Sequence, residues 1–286
     1  MLGEIQNEIR DAFRGRQNGV IQMLVINCGI FLLIKLLDLG SWASGGGGSI
    51  SSFVLDYLGL SHRPEEFIVH FWTLLTYSLI HIDLFPHLVF NMISLYIFGQ
   101  ILQDFLGPKS IPRFYIAGAL SGALLFLLMA WLLNYTGAWK PVNGHLHGAS
   151  GAVYGIICAA AFLVPNYSIN LLFFGPVRLK YVALVFVLLS LIQIPGSNPG
   201  GNIAHLGGAI GGVIYLRYLQ GAFRFRFPAG SSKKQQGGKV VSLSGKKFSS
   251  EEAELDFLLD KISEKGMHSL SRDEKKRLED LSKPKK

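Results

Sequence analysis

The sequence predicts an all-α fold: a polytopic membrane bundle of six transmembrane helices followed by a small cytoplasmic helical hairpin. Three observations carry that expectation. Hydrophobic residues make up 50% of the 286 positions, and the mean hydropathy is +0.36. Those residues are gathered in long runs before Phe223, whereas the chain beyond it is polar and rich in lysine. Basic residues fall in alternate gaps between the runs. Segregation of this kind separates a membrane protein with a polar tail from a two-domain soluble protein of the same length. The chain divides accordingly into an N-terminal cytoplasmic segment (1–19), a membrane domain (20–222), a disordered linker (223–248) and a helical appendage (249–286).

A helix needs ~20 apolar residues to cross the hydrocarbon of a bilayer. Six runs qualify or come close: Val20 to Leu39, Pro86 to Phe105, Ile111 to Leu133, Ala149 to Val164, Tyr181 to Ile194 and Ile203 to Leu219. The fourth and fifth are short for a full crossing; a short helix that starts below the membrane surface needs protein or water around its first N–H groups, and Ser150 lies at that end of the fourth. Between the first two runs, Ser44 to Ser49 is a flexible Gly/Ser stretch. The residues from Phe53 to Tyr77 are markedly apolar and aromatic, as in interfacial segments, and should form short helices bracing the bundle from the side. Pro195 to Asn202 reads as a mobile outer loop. In the tail, Ser249 or Ser250 can cap a helix carrying Leu255, Leu258, Leu259 and Ile262, with Gly266 ending it. Ser271, Asp273 and Glu274 open a second helix carrying Leu278 and Leu281.

Orientation follows from lysine and arginine. Arg10, Arg14 and Arg16, then Lys109 and Arg113, Arg178 and Lys180, and Arg217, Arg224 and Arg226 all fall on one side of a six-span bundle. Arg63 and Lys140 are the main exceptions. Both termini are therefore expected in the cytoplasm. The net charge of +8 is mostly topological and is served by an anionic bilayer, so no nucleic-acid partner is expected. The first run is long enough to stay as an anchor, and no cleavable leader is evident. Cys28 and Cys158 fall in runs, as packing residues and not as a disulfide or metal framework.

Polar groups inside apolar helices are costly and need a reason. Ser150 opens the fourth run in Gly148-Ala149-Ser150-Gly151, and His205 opens the sixth in Ala204-His205-Leu206-Gly207-Gly208. Ser150 and Tyr154 share a helix face, with the Gly151/Gly155 pair beside them. His205, Gly208 and Gly212 line another, and glycines at this spacing let membrane helices approach closely. Packing the two strips together brings Ser150 to His205, a nucleophile to a base, with Tyr154 beneath the imidazole. His87 and Asn91, at i and i+4 of the second run, supply donors suited to a developing oxyanion. No aspartate is placed to orient His205, so the pair is a dyad. His145 and His147 with His81 and His87 invite a metal reading, but the spacing is weak and no acidic or cysteine ligand accompanies them. They are read as loop histidines near the water boundary, and no metal or cofactor is expected.

Gly148 to Gly155 (Gly-Ala-Ser-Gly-Ala-Val-Tyr-Gly), Ala204 to Gly208 (Ala-His-Leu-Gly-Gly) and His87-x-x-x-Asn91 together resemble the rhomboid family of intramembrane serine proteases, over roughly Val20 to Gln220. The resemblance implies an intramembrane serine endopeptidase acting in or near transmembrane segments of other membrane proteins. Ser150 would be the nucleophile and His205 the base. His87, Asn91 and the Ser150 N–H would form the oxyanion hole, and Gly148 would permit the tight loop beside it. Where many members have Trp-Arg, this chain has Trp72-Thr73. The tail, especially Leu258 to Gly266, looks like an appendage of Bacteroidetes-type rhomboids and points to the bacterial cytoplasmic membrane, with the tail available to a protein partner. The alternative is a non-proteolytic rhomboid-like chaperone or adaptor, although such proteins typically lack the serine or the histidine. A transporter is disfavoured by the lack of repeats and of an intramembrane carboxylate pair.

Overall fold

The computed structural model describes residues 13, 18–45, 49–135, 145–171, 175–196, 198–222, 240–241, 247–248 and 251–282. The basic residues Arg10, Arg14, Arg16, Lys140, Arg224 and Arg226, the caps Ser249 and Ser250 and most of the linker lie outside them. The chain divides into two compact units, Met1–Arg224 and Phe225–Lys286.

All six apolar runs are helical. They are α1 (Gly19–Ala43), α5 (Val89–Leu106, entered through a wide turn at Leu84–Leu88), α6 (Ser110–Tyr135), α7 (Ser150–Leu163), α8 (Leu179–Ile192) and α9 (Pro199–Leu219). Three of them, at Gly19–Ala43, Leu84–Leu106 and Ser110–Leu133, are long and apolar enough to cross a membrane. The helices α7 and α8 are apolar but have 14 residues each, and α9 has 21. Leu32, Leu33, Leu36 and Leu37 on α1 and Leu184, Val185, Leu188 and Ile192 on α8 face outward, as hydrocarbon-facing side chains do.

Four shorter helices, α2 (Ile50–Leu58), α3 (Pro64–Val69), α4 (Thr73–Thr76) and a 3₁₀ turn (Tyr77–Leu79), build the segment between α1 and α5. Short helices are expected there, but their position is deeper than a lateral brace. Leu60, Tyr77 and Ile80 are fully buried. Leu60 exchanges backbone hydrogen bonds with Leu146, both at 2.9 Å, in an isolated antiparallel bridge. The Tyr77 hydroxyl donates to the Ala119 carbonyl at 2.8 Å, and its own carbonyl accepts from the Gly148 N–H at 2.9 Å. Thr73, where an arginine is common in the family resembled, is buried, and its hydroxyl donates to the His70 carbonyl at 2.6 Å. Trp72 Nε1 donates to the Tyr57 carbonyl at 2.9 Å, so the pair still ties the segment together.

At the other end of the unit, Gln103 Oε1 accepts from the Val20 N–H at the start of α1 (3.2 Å). The Phe105 and Tyr167 rings meet edge to face there. The connection from α7 to α8 is an antiparallel hairpin, β1 (Ser168–Leu171) with β2 (Gly175–Arg178), where the all-α reading has none. Ile169, Leu171 and Val177 pack against the core, and this alternation of apolar residues satisfies a strand's two-residue period.

The bundle's interior is a contact of backbones. A Cβ on Gly208 would overlap the Gly151 carbonyl, one on Gly212 would overlap the Gly155 carbonyl, and one on Gly155 would sit 3.0 Å from Gly118 Cα. Thus α6, α7 and α9 meet along glycine strips, where nothing but hydrogen lies between chains.

In the second unit, β3 (Val240–Val241) pairs with β4 (Lys247–Phe248), ahead of α10 (Glu251–Lys265) and α11 (Arg272–Ser282). Gly266 takes φ +76° to end α10. Ser271 and Glu274 form a capping box: the Glu274 N–H donates to Ser271 Oγ at 3.2 Å and the Ser271 N–H to Glu274 Oε2 at 2.8 Å. Lys261 pairs with Glu274 at 2.8 Å and Arg277 with the buried Glu254 at 3.2 Å, while Leu258 and Leu270 are buried.

Gly208→Ala is expected to lower the unfolding midpoint in detergent by the cost of overpacking, about 1–3 kcal/mol. Gly29→Ala, where a Cβ meets nothing within 4 Å, should leave it unchanged or slightly raised, because alanine is the better helix former. A second expectation concerns acid. The Ser61 hydroxyl, donating to Glu66 Oε2 at 2.6 Å, and then Arg63, at 2.9 Å, hold the Glu66 carboxyl below its ordinary value. A depressed carboxyl stabilises above its unfolded value of about 4.3, and that stabilisation is lost as pH falls through the folded value. Hydrogen-exchange protection around Ser61 to Phe67 should therefore fall below pH ~4. In Glu66→Gln that acid step should vanish, with lower protection at neutral pH.

Candidate active site

The helix α7 begins where the chain emerges from the Leu60–Leu146 bridge. Gly148, at φ +109°, turns it into the helix, and a Cβ at that position would strike the His87 ring. Both the conformation and the space require glycine. Ser150 is the first residue of α7, so the N–H groups of its first turn have no intrahelical acceptor. Just before it, the N–H of the N-cap residue Ala149 donates to His81 Nε2 at 3.2 Å.

The glycine strips then set the distance between nucleophile and base. His205 Nε2 lies 2.7 Å from Ser150 Oγ. The imidazole stacks on Tyr154, with ring centroids 4.3 Å apart and planes at 11°. His205 lies more than one turn inside α9 and not at its start. The helix begins at Pro199, capped by Asn198, whose Oδ1 accepts from the Gly201 N–H at 3.0 Å. Asn202, expected in a mobile loop, is instead buried in the helix. Its amide donates to the Gln193 and Asn198 carbonyls, both at 2.9 Å, and fastens the turn from α8. Proline at the first helical position and a side-chain cap before it account for the earlier start. Ser197 lies outside the described residues.

His87 and Asn91 face the same place. Asn91 Nδ2 donates to the His87 carbonyl at 2.9 Å and lies 3.4 Å from His81 Nε2. The His87 ring packs edge-on between His81 and His147. Ser150, His205, Tyr154, His87 and Asn91 line one cavity of about 810 Å³, whose wall also carries Asp83, Gln193 and Asn198. Gly151, Gly208 and Gly212 form the packing behind it.

Two side chains escaped the sequence reading. His81 is not at the water boundary: it is fully buried behind the donors, accepting from Ala149. Ser190, a single serine in the apolar run of α8, lies 3.2 Å from His205 Nδ1 and donates to the Tyr154 hydroxyl at 2.9 Å. A serine in an apolar helix ordinarily returns its proton to its own helix, and nothing in the run marks this one as different. Among the described residues, no group of three or more His, Cys, Asp or Glu is arranged to hold a metal ion.

An apolar helix bundle that encloses a serine–imidazole pair in a polar-lined cavity defines a membrane-embedded class of protein with the equipment for acyl transfer. Residues 69–221 match the rhomboid domain, and the chain belongs to the rhomboid family. Residues 246–284 match a family of unknown function (DUF6576). The chain is 31% identical to RHOMBOID-like protein 12, mitochondrial, of Arabidopsis thaliana, over 72% of this chain and 60% of that one. It is 26% identical to the rhomboid protease GluP of Bacillus subtilis, over 59% of this chain and 30% of GluP. With the rhomboid protease AarA of Providencia stuartii the identity is 29%, over 46% and 51% of the two chains. The chain thus spans less than two thirds of the length of each of these relatives.

Gly148→Ala is expected to displace His87 and distort the turn into α7 while leaving the Gly155–Gly212 contact, further along the helix, intact. Labelling of Ser150 by a fluorophosphonate should slow at least about tenfold, in line with the cost of lost active-site positioning, with a smaller effect on the unfolding midpoint.

Proposed function

We propose that this protein is an intramembrane serine endopeptidase that hydrolyses peptide bonds in or near the transmembrane segments of other membrane proteins. The observation that carries the reading is the 2.7 Å approach of Ser150 Oγ to His205 Nε2 inside the cavity that His87 and Asn91 also line. Ser150 Oγ attacks the scissile carbonyl carbon, and its proton passes to His205 Nε2. The oxyanion forms next to the N–H of Ser150 and within reach of His87 and Asn91. Collapse breaks the C–N bond as His205 gives the proton to the leaving amine. Water then attacks the Ser150 ester, delivers a proton to His205, and the hydroxyl is restored. Gly148, Gly151, Gly208 and Gly212 position the pair, and no cofactor takes part.

The substrate is a single-span protein whose helix opens near the outer face, because a peptide bond in a regular helix keeps its carbonyl hydrogen-bonded and out of reach. The chain crosses the membrane six times, with both termini and the appendage in the cytoplasm of a bacterial cell. Support comes from Lys109, Arg113, Arg178, Lys180 and Arg217, which gather in alternate connections and helix ends. The appendage offers its surface to a protein partner.

Cleavage of a single-span reporter by the purified protein should fall at least about a thousandfold in Ser150→Ala and in His205→Ala, with unfolding midpoints close to wild type. Reporter binding without cleavage by the wild-type protein would transfer the assignment to a non-proteolytic chaperone or adaptor. Cleavage that survives Ser150→Ala would remove the site.

A further inference from the structure

The geometry points to Ser190 as a positioning residue that sets the tautomer of His205, so that the dyad works as the reactive end of a four-residue hydrogen-bond chain. The inference rests on the proteolytic reading for its kinetic consequence, but its structural content stands apart from it. The chain can be followed by its protons. The Tyr154 hydroxyl donates to the Phe186 carbonyl at 3.3 Å, and a carbonyl can only accept. With that proton committed, Tyr154 Oη accepts from the Ser190 hydroxyl at 2.9 Å. Ser190 then has no proton left, and it turns a lone pair toward His205 Nδ1 at 3.2 Å. Nδ1 must be the protonated nitrogen. Nε2 is left with its lone pair facing Ser150 Oγ at 2.7 Å, the arrangement a general base needs.

Three further observations fit the assignment. Ser190 is 2% exposed, so water does not replace it. Tyr154 serves twice, stacking on the imidazole and accepting the Ser190 proton, which fixes the ring's plane and its tautomer together. Ser190 and Phe186 stand four apart, one turn of α8, so a single rigid helix supplies both partners of the Tyr154 hydroxyl. When Ser150 passes its proton to Nε2, the imidazolium retains an oxygen acceptor at Nδ1. A carboxylate would hold it more strongly; here the hydroxyl pair Ser190–Tyr154 fills that position without placing a charge in an apolar bundle.

The test is ¹⁵N NMR of the full chain in lipid nanodiscs with histidine-selective labelling, the His205 signals being assigned by their disappearance in His205→Gln. The expected wild-type spectrum shows a protonated Nδ1 and an unprotonated Nε2 for neutral His205. In Ser190→Ala, and in the nearly isosteric Ser190→Cys should alanine impair folding, the two tautomers should become mixed. Ser190→Thr should restore the wild-type pattern. With the single-span reporter, kcat should fall about ten- to a hundredfold in Ser190→Ala, the worth of one hydrogen bond to a charged group. KM should stay within about twofold, since uniform binding is untouched, and Ser190→Thr should recover most of kcat. A protonated Nε2 in the wild type overturns the inference, as does a tautomer unchanged in Ser190→Ala and Ser190→Cys. A wild-type protein that cleaves nothing yet shows the Ser190-dependent tautomer would refute the protease reading and leave the positioning role standing.

Discussion

The backbone-to-backbone contact of α7 with α9 is the constraint from which the rest of the membrane unit follows. In hydrocarbon, helices gain little by burying leucine against leucine, because lipid tails are equally apolar. Close approach must supply the attraction, and close approach needs positions without side chains. Gly151 and Gly155 on α7 meet Gly208 and Gly212 on α9, with Gly118 of α6 against the same strip. At this separation a serine side chain and an imidazole, each projecting from its own helix, come within 2.7 Å. A wider crossing would put water or lipid between them.

The segment between α1 and α5 enters the bundle from the side opposite the basic helix ends and takes part in building the cavity. Leu60 pairs with Leu146, four residues before Ser150, and the Tyr77 carbonyl receives the Gly148 N–H. The Tyr77 hydroxyl reaches the Ala119 carbonyl on α6, while Tyr115 on the same helix places its hydroxyl 2.7 Å from the Ser78 carbonyl and 3.1 Å from Asn27 of α1. These bonds satisfy buried polar groups and also fix the turn that aims α7. The outer segment and the nucleophile are therefore one structural piece, although Leu60 and Tyr77 lie far from Ser150 in the sequence.

Much of this is legible in the sequence because hydrocarbon enforces simple rules. Length and hydropathy locate all six apolar helices to within a few residues, and small-xxx-small spacing identifies which faces meet. Ser150, His205, Tyr154, His87 and Asn91 converge on one cavity because each lies on a polar or glycine stripe of an otherwise apolar helix. What escapes is set by contacts between distant segments. Nothing local marks Ser190 as turning toward α9, and His81 looks like any histidine near a helix end until Ala149 and Asn91 are seen to aim at it. The start of α9 lies earlier than its apolar run suggests because Pro-Gly-Gly-Asn has the composition of a loop. The Asn198 cap and the Asn202 amide make it a helix. The β1–β2 hairpin is too short for its alternation to stand out among apolar neighbours.

The length of α7 has a consequence for chemistry in time as well as in space. Its 14 residues rise about 21 Å at 1.5 Å each, against a hydrocarbon layer of about 30 Å. Its far end is level with that of α5, where the Phe105 and Tyr167 rings meet. With the basic helix ends at one membrane face, as proposed, the shortfall is taken up at the Ser150 end. In the proposed reaction the second reactant, water, would reach Ser150 through the polar wall of the cavity. On the proposed proteolytic reading, hydration of that space becomes a kinetic variable: lipid thickness, headgroup packing and the occupancy of the cavity by a bound segment would all regulate how soon an ester on Ser150 is released. On that reading the bilayer would limit a reagent as well as act as a solvent, and the same short helix that hides the hydroxyl would meter the water that regenerates it.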